Sequence, residues 1–503
     1  MSGAAHDASG SAPQSAPGRA ARHGRWLLVV ALTVQFLVSL DMSVVNVALP
    51  DIRSDLGFGG DGLLWVVNAY ALAFGGLLML GGRLADLAGP RRVLTAGLAL
   101  FGSAGLAGGL AWSPGSLVAA RAVQGVGAAA LAPVAFALIT LAFPAGPARS
   151  RALGLWGMAG AAGGAVGVLA GGLLTDAAGW RAVMLINVPI VAFALVAAIR
   201  TGPVGSERRT GARLDVAGAL LATAGMTLLV LGLVRTTAHA WGSATTSATL
   251  GAAAALLAAF VAVERRTASP LLRPGLLRGR PVLTANLVCL LLASAQFGAF
   301  YFVSLHLQLV LGYGSTAAGA AFLPFCAGIV VGSVLAPRAV AVLGLRPLMA
   351  VGAGLAALGM AWFAATATAD GGFLGSVLGP SLLCSLGIGL GFVPLGTAAT
   401  TDVAPGETGM ASGLLNSSRQ VGGSLGLAVL VTVATGVTGD GAGPAALSAG
   451  HAAAFWLSSA FLAVAALAAY VLLPGAGRRA AVRAAGPREA AGRAGERPDG
   501  VPG

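Results

Sequence analysis

The chain has 503 residues, a mean hydropathy of +0.86 and a formal net charge of +13, although only 9% of its residues are charged. Soluble domains carry about 25% charged residues, so this composition excludes an ordinary soluble protein. The positive charge is all arginine, spread over many loops with no aromatic groove among them. This distribution argues against nucleic-acid binding.

Fourteen apolar stretches occupy nearly the whole chain. A helix needs about 20 apolar residues to cross a hydrocarbon core of about 30 Å. The stretches are continuous and do not alternate as barrel strands would, which predicts an all-α integral membrane protein with fourteen transmembrane helices. The predicted spans are 26–49, 63–82, 93–112, 116–142, 152–174, 182–199, 214–234, 247–263, 281–310, 317–337, 345–366, 373–396, 408–436 and 451–473.

The arginines predict the orientation of these spans. Twenty-five fall in the tails and in the loops on one side, three fall on the other side, and Arg121 and Arg419 lie inside spans. Positively charged loops stay in the cytoplasm, so we expect both termini to be cytoplasmic. We call the opposite end of the molecule the outer end.

Spans 5 and 13 resemble each other at a fixed offset of 259 residues. Ala152, Gly154, Leu155, Gly163, Gly164 and Gly167 recur as Ala411, Gly413, Leu414, Gly422, Gly423 and Gly426. Transporters are often built from such repeats, with substrate handled between the halves, although glycine-rich helices can also match by chance. The repeat predicts a six-helix bundle at 25–200, a two-helix insert with linkers at 201–280 and a second six-helix bundle at 281–474. The remaining segments, 1–24 and 475–503, are expected to be disordered cytoplasmic tails.

Two charged residues of the first half lie at similar depth in the membrane. Asp41 in span 1 and Arg121 in span 4 differ in depth by about 5 Å, at about 1.5 Å per residue. A charge inside a span costs about 2.5–3.5 kcal/mol and is a functional candidate by default. A static ion pair that only fixes the packing is the alternative.

Three further features are candidates. In span 5, Gly163, Gly167, Gly171 and Gly172 form a small-residue face suited to close helix packing. In loop 2–3, Asp86 lies beside Arg91 and Arg92 and can form a breakable charge latch, or simply a solvated turn. Arg419 lies near the midplane, and no acidic residue lies at similar depth in spans 9–14, so it faces a cavity, Asp41, polar groups or an anionic substrate.

Taken together, these residues resemble the major facilitator superfamily, and in particular its fourteen-span drug:proton antiporter branch. Residues 82–94 are similar to the loop 2–3 motif, residues 121–127 to the span-4 motif, and residues 40–50 to the span-1 signature of the exporters. Residues 180–189 resemble the Trp-Arg…Asn-x-Pro string of the same branch. One departure is that Val168 stands where the antiport motif of span 5 usually has proline.

The resemblance implies a proton-coupled exporter of small, mostly hydrophobic compounds in the bacterial plasma membrane, active as a monomer. Asp41 would carry the proton beside Arg121, and Asp86, Arg91 and Arg92 would form the cytoplasmic gate. The expected substrate-cavity residues are Gln35, Asn46, Trp65, Tyr70, Gln124, Gln296, Tyr301, Asn416 and Arg419. An importer of a nutrient and a membrane sensor remain alternatives. An enzyme is not expected, and no cofactor, metal site or nucleic-acid partner is expected either.

Overall fold

The computed structural model describes residues 17–59, 62–143, 147–200, 215–235, 243–267, 270, 275–276, 279–401, 403, 408–439 and 443–473. The predicted tail at 475–503 and residues 1–16 lie outside this range. The described residues are almost all helical, without a β-strand. The helices are α1 (Pro17–Leu56), α2 (Leu64–Ala88), α3 (Pro90–Gly109), α4 (Pro114–Ala142), α5 (Pro147–Ala178), α6 (Trp180–Leu185), α7 (Asn187–Arg200), α8 (Val216–Arg235), α9 (Ala244–Arg266), α10 (Arg280–Leu305), α11 (Ser315–Ala321), α12 (Leu323–Leu343), α13 (Leu345–Thr366), α14 (Gly379–Ala399), α15 (Thr408–Thr438) and α16 (Pro444–Leu472).

The predicted all-α membrane fold is confirmed. In the described part of the chain, thirteen helical segments are long and apolar enough to cross a membrane. Helix α3 supplies the fourteenth crossing, because its 20 residues extend about 30 Å. Two spans consist of two α-helices each, α6 with α7 and α11 with α12. Two others include a turn of π-helix, which follows α10 at His306–Val310 and precedes α14 at Phe373–Leu378.

Helix α1 is longer than the sequence predicted. It begins at Pro17, inside the segment expected to be a disordered tail, and continues past Pro50 to Leu56. A proline in the first turn costs no hydrogen bond, and the alanines and arginines that follow it are good helix formers. Pro50 removes one backbone hydrogen bond near the outer end without ending the helix.

The helices pack as two bundles with an insert. In the first bundle α1 lies along α5, and α4 lies between α2 and α3. In the second bundle α10 lies along α15 and α16, and α14 lies between α12 and α13. Helices α8 and α9 pack on each other, and α8 lies over the seam where α2 of one bundle meets α15 of the other.

The α1–α5 contact of the first bundle recurs as the α10–α15 contact of the second. Gly163 lies against the carbonyl of Phe36, and its counterpart Gly422 lies against the carbonyl of Leu290. A Cβ at any of these glycines would collide with backbone atoms of the neighbouring helix. The 259-residue repeat of the sequence thus corresponds to a repeated helix contact.

Candidate functional site

Asp41 lies at the centre of a buried polar cluster in the first bundle. Its side chain is 0% exposed, and Arg121 is 2% exposed. Arg121 Nη1 donates to Asp41 Oδ2 at 2.7 Å, and Gln124 Nε2 and Asn187 Nδ2 donate to Asp41 Oδ1 at 2.8 and 2.7 Å. The carboxylate therefore accepts three hydrogen bonds, each from a donor on another helix.

Arg121 is held on several sides. Its Nε donates to the carbonyl of Val66 at 3.0 Å, and its Nη1 also donates to Gln124 Oε1 at 2.7 Å. The ring of Tyr70 lies beneath the guanidinium, with 4.5 Å between Cζ and the ring centroid. Gly125 makes the approach of α4 to α2 possible, because a Cβ there would collide with the carbonyl of Tyr70.

A break in the sixth span positions Asn187. Pro189 has no backbone N–H and cannot donate to the carbonyl of Leu185, so α6 ends at Leu185 and α7 starts at Asn187. The Asn187 side chain then reaches both Asp41 and the carbonyl of Met184. Its Oδ1 is buried and has no hydrogen-bond partner among the described residues, so the amide holds an unused acceptor beside the carboxylate.

Arg419 differs from Arg121 because no carboxylate of the described residues faces it. Its Nη2 lies 3.4 Å from Gln296 Oε1, a long hydrogen bond, and its Cζ lies 4.8 Å from the centroid of Phe392. Its Nε is buried without a hydrogen-bond partner in the described part of the chain. One turn earlier in α15, Asn416 is exposed, and its side chain donates to the carbonyl of Ser412 in the same helix.

The structure distributes the predicted cavity residues over several places. Gln124 and Tyr70 belong to the Asp41 cluster. Gln35 lies against Gly160 of α5, and Trp65 is half-buried in the apolar core. Asn46 and Tyr301 are 6% and 3% exposed, near the outer half of the interface between the bundles.

The predicted gate at loop 2–3 is described only in part. The side chain of Asp86 lies outside the described residues. Arg91 Nη2 lies 3.5 Å from the carbonyl of Ile199 in the last turn of α7, and Arg92 is exposed. The role of the three residues as a gate stays a prediction.

The two bundles are in contact at the outer end, and the glycine face of α5 takes part. Gly163, Gly167 and Gly171 pack α5 against the backbone of α1. Gly172, on the same helix, lies instead against the carbonyl of Ser315 at the start of α11 in the second bundle. The glycine face therefore serves two contacts, one inside a bundle and one between bundles.

Polar groups reinforce this closure, which we call the outer gate (Asp51, Gly172, Asp176, Gln308, Ser315 and Thr316). Asp176 Oδ2 accepts from the backbone N–H of Thr316 at 2.8 Å. Ser315 Oγ lies 3.3 Å from Asp51 Oδ2, and Gln308 Nε2 donates to the carbonyl of Val47 at 3.1 Å. A carboxylate of the first bundle thus occupies the N-terminal turn of a helix in the second, where the helix dipole favours negative charge.

Residues 31–427 match the family model of the Major Facilitator Superfamily. The chain belongs to this superfamily. Its members are transporters of small molecules, so the protein is a multi-pass membrane transporter and not an enzyme, and the resemblance seen in the sequence motifs is confirmed.

Individual proteins give a finer comparison. The chain is 47% identical to the cephamycin export protein CmcT of Amycolatopsis lactamdurans, over 89% of this chain and 91% of that one. It is 42% identical to the puromycin resistance protein pur8 of Streptomyces alboniger, with the same coverage. Among solved structures, a POT family transporter in complex with a thioalcohol-conjugated peptide has a TM-score of 0.66 at 15% identity, covering 88% and 94% of the two chains. This last likeness shows the fold alone.

Sequence reasoning missed Asn187 as a partner of Asp41. It stood in the Trp180–Pro189 string, where it served only to mark the resemblance. The signal was available, because Pro189 predicts a helix break and an asparagine at a break inside the membrane needs a polar neighbour. Asp176 and Ser315 of the outer gate were also missed, because nothing in their local sequences pairs them.

Proposed function

We propose that this transporter exports antibiotics or other small, mostly hydrophobic secondary metabolites in exchange for protons, with Asp41 as the proton carrier. The observation that carries the proposal is the buried Asp41 cluster, together with the export and resistance roles in the names of the relatives. The cell would be bacterial, the membrane its plasma membrane, both termini cytoplasmic and the working unit a monomer.

The cluster can exchange a proton if its contacts rearrange. An ionised Asp41 is satisfied by three donors, whereas a protonated Asp41 brings an O–H that needs an acceptor. Asn187 Oδ1 is such an acceptor, and rotation of its amide would present it to the acid. Arg121 loses its anion in the same step, so protonation favours any conformation in which Arg121 gains other partners.

The driving force is sufficient for export. One proton moving down about 100 mV releases about 2.3 kcal/mol, and one pH unit adds about 1.4 kcal/mol. The sum of about 3.7 kcal/mol supports a gradient of neutral substrate of about 500-fold. One proton per cycle therefore suffices for useful resistance.

The test is proton movement in energised inside-out vesicles with a panel of antibiotics that includes puromycin and a cephamycin. We expect substrate to release protons from the acidic lumen in the wild type and not in Asp41→Asn. The matched control is Asp55→Asn, which removes an exposed acid at the outer end of the same helix.

Proton release that survives in Asp41→Asn contradicts the role of Asp41. Proton uptake into the lumen with substrate indicates symport and contradicts antiport. Since removal of one partner of a buried pair costs about 3–5 kcal/mol, the double variant Asp41→Asn/Arg121→Gln is measured alongside to separate lost coupling from lost folding.

A further inference from the structure

The second bundle carries a positive charge, Arg419, that pairs with no anion among the residues the structure describes. Arg419 is the one charged residue inside its predicted spans away from their ends, since the four acidic residues of this half, at 370, 402, 407 and 440, fall outside those spans in the sequence. The buried acid of the first bundle, Asp41, is bonded to Arg121. No acidic group among the described residues thus balances Arg419.

The groups around Arg419 satisfy it poorly. Gln296 offers one oxygen at 3.4 Å, Phe392 offers its ring face, and no described residue accepts a hydrogen bond from the buried Nε. A guanidinium has five donors in a planar fork whose geometry matches a carboxylate. In contrast, Arg121 uses Nε and Nη1 in three hydrogen bonds, one of them to an acid. Arg121 is therefore paired with an anion of the protein, whereas Arg419 has unused donors.

The position suits a ligand. Arg419 lies on α15 between Gln296 of α10 and Phe392 of α14, one turn from the exposed side chain of Asn416. The neighbouring Gln420 touches Met42 of the first bundle, so this turn of α15 lies at the interface between the bundles. An aromatic ring, a guanidinium with unused donors and an exposed amide together fit an apolar organic acid.

We propose that Arg419 binds the carboxylate of transported compounds that carry one, so that apolar organic anions are the preferred substrates. The inference rests on the proposed export function and specifies its substrate class. The energetic reason is that an uncompensated charge inside a membrane protein is costly, and an arriving carboxylate removes that cost while it forms a bidentate pair.

The test uses purified full-length protein in lipid nanodiscs and three acid–ester pairs: naphthoic acid, biphenylcarboxylic acid and benzylpenicillin, each with its methyl ester. We expect the wild type to bind at least one acid about tenfold or more tightly than its ester, as a charge-assisted pair requires. The preference should vanish in Arg419→Gln and persist in part in Arg419→Lys. The matched control, Arg338→Gln, removes an exposed arginine of the same half and should keep the preference.

A second readout needs no ligand. Removal of a charge that no described carboxylate balances should raise the temperature of unfolding in Arg419→Gln, whereas Arg121→Gln should lower it because it leaves Asp41 without its cation. A fall in Arg419→Gln shows that the arginine is a structural partner, and it overturns the proposal.

Three binding results also overturn it: equal affinity for acids and esters, an acid preference that survives in Arg419→Gln, and no binding of any acid. Export assays separate this inference from the proposed function. Extrusion of the esters and not the acids leaves export standing and refutes the anion site. Binding of acids through Arg419 without transport of any compound keeps the site and refutes export.

Discussion

A methyl group at Gly172 should open the outer gate. An ideal Cβ there would lie 2.8 Å from Thr316 Cα and 2.9 Å from the Ser315 carbonyl carbon, and these are backbone atoms that move only with α11. Ordinary contact needs about 3.4 Å or more, so the bundles must separate locally by more than half an ångström. Overpacking of this kind costs about 1–3 kcal/mol, which shifts the equilibrium toward the outward-open state by about 5- to 150-fold.

The assay is a distance distribution between spin labels at the outer end. Labels at Ser54→Cys in α1 and Ala317→Cys in α11 occupy exposed positions on opposite bundles, in a background without the three native cysteines. Gly172→Ala should add a longer distance that is rare in the parent protein. The matched control is Gly164→Ala in the same helix, where a Cβ meets nothing within 4 Å. If both variants keep the parent distribution, or both change it equally, the reasoning from this contact is refuted.

Two other substitutions follow from the same geometry. Asp176→Asn keeps an oxygen that can accept from Thr316 but removes the negative charge at the start of α11. Measured with the same spin labels, this variant should populate the open state about two- to fivefold more than the parent protein. If the charge is irrelevant, added salt will not shift the population of the open state. Asn187→Leu removes a hydrogen-bond donor from Asp41, so it should lower the free energy of unfolding by about 1–3 kcal/mol and reduce the number of protons moved per substrate molecule. The control, Asn68→Leu, breaks a hydrogen bond to the Ser424 carbonyl and should leave that number unchanged. The same number of protons per substrate in both variants contradicts the role given to Asn187.

The helical spans could be predicted because membrane crossing needs a length of apolar residues, and this is a local property of the chain. The pair Asp41–Arg121 could be anticipated from depth, since a charge in the membrane needs a partner at its own level. The glycine face of α5 was also visible as close packing. All three rest on constraints that the bilayer imposes on each helix separately.

The remaining contacts depend on which helices become neighbours. Asn187 reaches Asp41 only because the sixth span breaks and α7 packs against α1. Gly172 and Gly171 are adjacent and identical in type, yet one contacts α1 and the other α11. The extension of α1 to Pro17 was missed because low hydropathy marks the end of a span and not the end of a helix.

The position of α8 also bears on how a lipid-soluble compound reaches the protein. Thr223 of α8 packs against Gly76 of α2, and Thr432 of α15 donates to the carbonyl of Leu233 in α8. Helix α8 therefore contacts both helices that form the α2–α15 seam and covers it. On the opposite face α5 meets α11 and α12, with no described helix laid across them. We therefore expect any lateral approach from the bilayer to the space between the bundles to lie on the α5–α11 face.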